Sequence, residues 1–178
     1  GQAHYWLSDF LKLGATAYGN ADDDSGLYGA SLVARKNTES WLELQTGWSR
    51  GLVSDSLRSD DGGFGFMDTA APVQGDGNEL GYRVDGSLGI GDVIPNAAGQ
   101  LTLYYQQLEA GYSAPGQIAA TDTQQYGGSL DVPLTEALTL TAKADSLVED
   151  MGLESSAQEA DVSYEIFDGW SLATGIRN

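Results

Sequence analysis

The clearest pattern in the chain is a two-residue alternation. Within 138–145, Leu138, Leu140, Ala142 and Ala144 share one parity, and Thr139, Thr141, Lys143 and Asp145 the other. Successive side chains of a strand point to opposite faces, so this stretch predicts a strand with one apolar and one polar side. The pattern recurs in WLELQTGW (41–48), LGYRVDGSLGI (80–90), YGGSLDVPL (126–134), DVSYEIF (161–167) and WSLATGIR (170–177). Weaker versions lie at 10–19, 27–36 and 100–112, and HYWL (4–7) adds another strand if Ser8 and Asp9 make a tight turn. Together these predict an all-β, antiparallel up-and-down meander of about nine or ten strands, one domain over 1–178, with no convincing helix. The 24 glycines, many inside the alternating runs, also argue against helix.

The links carry a second pattern. Those at 35–40, 91–99, 133–137 and 167–170 are brief, whereas 51–79, 113–125 and 149–158 are longer and rich in Gly, Ser, Asp, Gln and Glu. Every second link of a meander lies at the same end of the sheet, so one end is expected to be trimmed and the other to carry loops. Aromatic residues follow the same division. Trp41, Phe167 and Trp170 flank the brief links, while Tyr18, Tyr28, Trp48, Tyr82, Tyr112 and Tyr126 lie near the strand ends that meet the long ones. Amphipathic rings at both ends of an aliphatic band are what the two interfaces of a bilayer favour.

In alternation, loop asymmetry and aromatic belts, the chain resembles the bacterial outer-membrane β-barrel proteins as a class, over essentially its whole length. The resemblance implies a transmembrane β-barrel, or a segment of a larger one, with membrane lipid as its partner. Two features depart from the class: the chain ends TGIRN rather than on an aromatic residue, and the strand count is even only if HYWL is included.

Composition removes several other classes. With 8 Lys+Arg against 26 Asp+Glu the net charge is −18, which repels nucleic acid phosphates. No apolar run is long enough for a membrane-spanning helix, which needs about 18 or more residues, a statement that does not touch β-barrels. The absence of cysteine excludes disulfides and thiolate metal sites. The opening GQAHYWLSDF has no basic and apolar leader pattern, so any secretory leader is expected to have been removed or to lie outside this sequence.

Candidate chemistry concentrates on the polar parity of the strands: Arg35, Glu43, Arg83, Asp85, Asp131, Lys143, Asp145, Asp161, Glu165 and Arg177. In a membrane barrel this face is the lumen, where mixed charges either pair into a ladder or line an aqueous path. Other motifs are weak. His4 and Ser8 have no evident third partner for nucleophilic catalysis, and no enzymatic activity is expected. Asn20, Asp22 and Asp24 have calcium-loop spacing, but Ser25 and Ser31 stand where that loop needs Gly and Glu, so no metal is expected. SDDGG (59–63) reads as a turn, and Phe64, Phe66 and Met67 in GGFGFMD (62–68) as an extended strand or loop packing rather than a plug. Gly86, Gly89 and Gly91 precede no helix, so no dinucleotide cofactor is expected. The function expected is a pore, an export channel or a membrane anchor. The alternative is a soluble secreted antiparallel β-sandwich acting as an adhesin or binding module, which the belts and the loop asymmetry disfavour.

Overall fold

The computed structural model describes residues 1–20, 25–51, 57–58, 67–68, 77–114, 117–150, 152–167 and 169–178. The strands are β1 (Gln2–Ser8), β2 (Leu11–Asn20), β3 (Ser25–Arg35), β4 (Trp41–Arg50), β5 (Leu57–Arg58), β6 (Met67–Asp68) and β7 (Glu79–Gly89). They continue as β8 (Gln100–Leu108), β9 (Ser113–Ala114), β10 (Gln117–Ile118), β11 (Thr123–Pro133), β12 (Leu138–Glu149), β13 (Leu153–Phe167) and β14 (Trp170–Arg177). A single 3₁₀ turn, Ile90–Asp92, is the only helical element among the described residues.

Ten of these strands pair in the order β1-β2-β3-β4-β7-β8-β11-β12-β13-β14 into one antiparallel sheet. The two-residue strands pair separately, β5 with β6 and β9 with β10. The expected all-β antiparallel meander is therefore present, and its first strand is the HYWL segment turning at Asp9 and Phe10. β1 and β14 are the two edges, with no pairing between them, so the sheet is not closed.

Directly opposed residues in an antiparallel pair share a face, so the register sorts every strand. One row reads Leu13, Leu32, Leu44, Val84, Tyr105 and Tyr126. A second reads Leu88, Leu101, Leu130, Ala142, Ala160 and Ile176 on the same face. Near the long-link end, Tyr28 opposes Trp48, and the rings of Tyr82 and Tyr105 stack 5.9 Å apart. Near the short links, Phe167 and Trp170 lie 5.9 Å apart.

The sheet is strongly oblique. The row that begins at Trp41, the first residue of β4, runs through Ser87, Thr102, Ser129, Lys143 and Glu159 to Arg177, the last residue of β14. β14 nevertheless begins at Trp170, at the same end of the sheet as Trp41, seven residues away over six strand-to-strand steps. At about 3.4 Å per residue and about 4.8 Å per strand, that drift is a tilt of roughly 40° between the strands and the line of their ends.

The short-link end is tied together by one carboxylate. Asp92, in the 3₁₀ turn, accepts hydrogen bonds from Lys36 Nζ (2.7 Å), Asn37 Nδ2 (2.8 Å) and Ser40 Oγ in the β3–β4 turn. Asn37 shapes that turn, its Oδ1 accepting from the backbone N–H groups of Glu39 (2.9 Å) and Ser40 (2.7 Å). The Lys36 ammonium, followed by Ser40 and Asn37, holds the Asp92 carboxyl down at about 2.

Several expectations are corrected. The link expected at 149–158 shrinks to 150–152, because Leu153–Gln158 continue the ladder with β12. Backbone pairing needs no apolar side chain, so the polar outward residues Glu154, Ser156 and Gln158 extend the hairpin beyond the apolar band. Gly152, at φ 75°, makes this tight turn in a conformation that other residues adopt at a cost. Trp41 and Tyr18 share the parity of Glu43 and Leu27 and lie on the polar face rather than in an outward belt. Most of 20–26, 59–63 and 62–68 lies outside the described residues.

Candidate functional site

Over β3, β4, β7 and β8 the two faces differ in exposure, the polar face being the more buried. On the apolar face, Tyr28 is 61% exposed, Leu44 40% and Leu88 38%. Most of the buried strand residues lie on the polar face: Ser25, Leu27, Val33, Ser49, Glu79, Ser87, Gln106 and Leu108. The candidate site is this polar face and what covers it.

All ten residues singled out from the sequence share it by register. The structure joins some of them. The Arg83 guanidinium donates to both Asp85 oxygens, Nε to Oδ2 and Nη2 to Oδ1, each at 2.7 Å, and Nη1 donates to Gln106 Oε1 at 3.2 Å. Its cation also sits 5.0 Å from the Tyr104 ring centre. Glu43 is the cross-strand neighbour of Asp85. Asp145 Oδ1 accepts from Gln125 Nε2 at 3.0 Å, and Asp131 Oδ1 from the Thr141 hydroxyl at 2.8 Å. Lys143 opposes Glu159, which opposes Arg177.

Other members stand apart from this network. Arg35 lies at the short-link end, 4.0 Å from the centre of the Trp6 ring and donating to the Asp9 carbonyl at 3.0 Å. Asp161 and Glu165 oppose Gly175 and Ser171 on the last two strands.

The sequence reading missed what covers β4, β7 and β8. Residues 109–114 and 117–122, carrying β9 and β10, fold over the polar face. Tyr112 lies on a shelf of two paired glycines: a Cβ at Gly47 would stand 2.6 Å from its hydroxyl oxygen, and one at Gly81 2.8 Å from its ring. Tyr112, Leu27, Leu108 and Ala119 form a small apolar cluster there, with Ala114 against it. Ser113, fully buried, donates its N–H to Ser49 Oγ at 2.9 Å. Burial raises the Tyr112 phenol above its ordinary range. Tyr112 is thus an inward anchor, not a member of the outward belt expected of it. Gly47 and Gly81 were a possible signal, since glycines paired across two strands leave room for a ring, but the partner ring was not identifiable.

Between the segment and the sheet is a cavity of about 540 Å³, lined by Lys12, Glu43, Gln45, Arg83, Gln106 and Tyr112 among others. His4 is also on this lining, opposite Gly14 on β2, while Ser8 opposes Leu11 at the end of the same strand. Among the described residues no cluster of three or more His, Cys, Asp or Glu has metal-binding proximity. No family model matches the chain, and no curated protein or solved structure does either.

Proposed function

We propose that this chain is an integral β-barrel protein of the bacterial outer membrane, either closed by its ten strands or part of a larger barrel. Its apolar face meets lipid, and its polar face lines a passive path for solutes. The observation that carries this reading is the burial over β3, β4, β7 and β8: Tyr28, Leu44 and Leu88 stay exposed on the apolar face while Ser49, Ser87 and Gln106 are buried on the polar one. In water, each exposed Å² of apolar surface forfeits about 25 cal/mol. In a bilayer the acyl chains supply that contact.

The oblique sheet supports closure, since strands of closed barrels tilt by about 35–45°. The ring groups at Tyr28, Trp48, Tyr82 and Tyr105 and at Phe167 and Trp170 suit the two membrane interfaces. A β-sandwich, the other reading, needs a second sheet over the apolar face. Among the described residues the only strands outside the main sheet are the two-residue ones, of which β9 packs beside β4 on the polar side.

Solubility and conductance test the reading. The purified chain should require detergent and carry it as a belt, and a monodisperse, detergent-free monomer that unfolds cooperatively would overturn the membrane reading. In planar bilayers, Asp131→Lys with Asp145→Lys should shift ion preference towards anions with little change in stability, because hydrated charges interact weakly. No conductance, combined with large destabilisation by these variants, would replace the path with a plugged membrane anchor.

A further inference from the structure

The cavity under segment 109–122 has a composition that selects among solutes. Its Arg83 cation is already charge-paired: Asp85 takes Nε and Nη2 at 2.7 Å each, and Gln106 takes Nη1 at 3.2 Å. The remaining ionisable groups on the lining are Lys12, Glu43 and the single histidine, His4. Lys12 and Glu43 sit on the same row with Val33 between them, two strand spacings apart or roughly 10 Å, and so their fields oppose across the same space. Among the carboxylates and the lysine and arginine cations, no net charge is left to anchor an ion. What remains are carboxamides, Gln2 and Gln45 on the sheet and Gln117 on the covering segment, with the Tyr112 ring as part of the roof.

A carboxamide offers a donor and an acceptor side by side, which matches a pair of neighbouring hydroxyl groups. A cavity of about 540 Å³ lies within the usual size of small-molecule sites. We propose that this cavity is a binding site for a small uncharged polyhydroxy molecule, of the size class of a mono- or disaccharide. The site deepens the reading of the polar face as a solute path and rests on that reading for its role, while its geometry rests on the fold alone. Binding there is weak, because a solute that is to pass must also leave.

Titration calorimetry on the full chain in detergent micelles tests this with three probes: sucrose, glucose 6-phosphate and spermidine. Sucrose should bind, and the anionic and cationic probes should not. Gln45→Leu and Gln117→Leu should each weaken sucrose about tenfold, the scale of one lost hydrogen bond. Glu43→Gln, which leaves Lys12 uncompensated, should admit glucose 6-phosphate. Circular dichroism of each variant establishes that the sheet is intact before binding is read. Binding of a charged probe to the parent as tightly as sucrose, indifference of sucrose to both glutamine variants, or no sucrose binding by the folded parent would overturn the proposal. Those outcomes leave the detergent belt untouched, whereas a detergent-free monomer that still bound sucrose would sink the membrane reading and keep this site.

Discussion

The seat of Tyr112 makes a sharp prediction through Gly81. A methyl group there would stand 2.8 Å from two atoms of the Tyr112 ring and 2.9 Å from Leu108 Cδ2. Contacts that close oblige the ring to lift, and overpacking of this kind costs about 1–3 kcal/mol. Gly86 is the control on the same strand: its added Cβ would meet only Leu42 Cδ1, at an ordinary 3.6 Å. Gly86→Ala should change stability by less than about 0.5 kcal/mol, because the lower entropy of the unfolded chain offsets a small packing term. Denaturant unfolding in micelles, compared by midpoint at constant slope, measures both. Tyr112→Ala alone should be costly, approaching the roughly 3 kcal/mol at the low end for truncating a buried aromatic. In that background Gly81→Ala should lose most of its own cost, since the ring it strikes is gone and the Leu108 tip can rotate. A coupling energy of about 1 kcal/mol or more between the two sites is the expected signature. If Gly81→Ala costs the same with and without the ring, Tyr112 does not sit on this shelf and the covering segment is wrongly placed.

Four further outcomes are expected. Leu44→Arg, between Leu32 and Val84 on the exposed apolar face, should destabilise the bilayer-inserted protein by about 2–4 kcal/mol, and a change below about 0.5 kcal/mol would argue against lipid at that row. Asp92, held at about 2 by Lys36, Ser40 and Asn37, favours its ionised form when folded, so its contribution is present above the unfolded value and lost as pH falls through the folded one. Asp92→Asn should therefore flatten the stability profile between about pH 4 and pH 2. The Tyr112 phenol is raised by burial, so the neutral form favours the docked segment fully below an ordinary tyrosine value of about 10, and this is lost as pH rises through the folded value; an ultraviolet titration should lose a late step in Tyr112→Phe. Spin labels at Tyr5 and Leu172, on the two edge strands, should lie within about 15 Å if β1 and β14 meet, with about 4.8 Å more for each strand between them.

Parity was the legible part of the fold. Strict alternation in 41–48, 80–90 and 138–145 placed Leu44, Val84 and Leu140 on one face and Glu43, Arg83 and Lys143 on the other, and the register keeps that division across ten strands. Strand length was less legible. Leu153–Gln158 read as a loop because Glu154, Ser156 and Gln158 break the apolar parity, yet a β-ladder runs on backbone groups and does not require it. Trp41 and Tyr18 were assigned by height along the strand, although parity alone would have turned them to the polar face. The site was legible only as a set of residues on one side. Shared parity put Arg83 and Asp85 on one face, but that they pair, and that Gln106 completes the set, is seen only in the folded chain. Nothing in 109–122 signals that it folds inward, because a tertiary contact between Tyr112 and Gly47 leaves no local periodicity.

The polar face is not uniform, and this bears on where a path would run. Over β4, β7 and β8 it is filled: Ser49, Ser87 and Gln106 are buried, Arg83 is paired with Asp85 and Gln106, and residues 109–114 and 117–122 lie on top. Over β12, β13 and β14, Lys143, Glu165 and Arg177 are exposed, and small residues such as Ala157, Ser163, Ala173 and Gly175 occupy the same face. On the proposed closure these two halves face each other across the lumen. The covered half then acts as a wall with one recessed cavity, and water follows the half bearing the exposed charges. A charge reversal at Lys143 should consequently change conductance more than one at Asp85, whose carboxylate is already committed to Arg83.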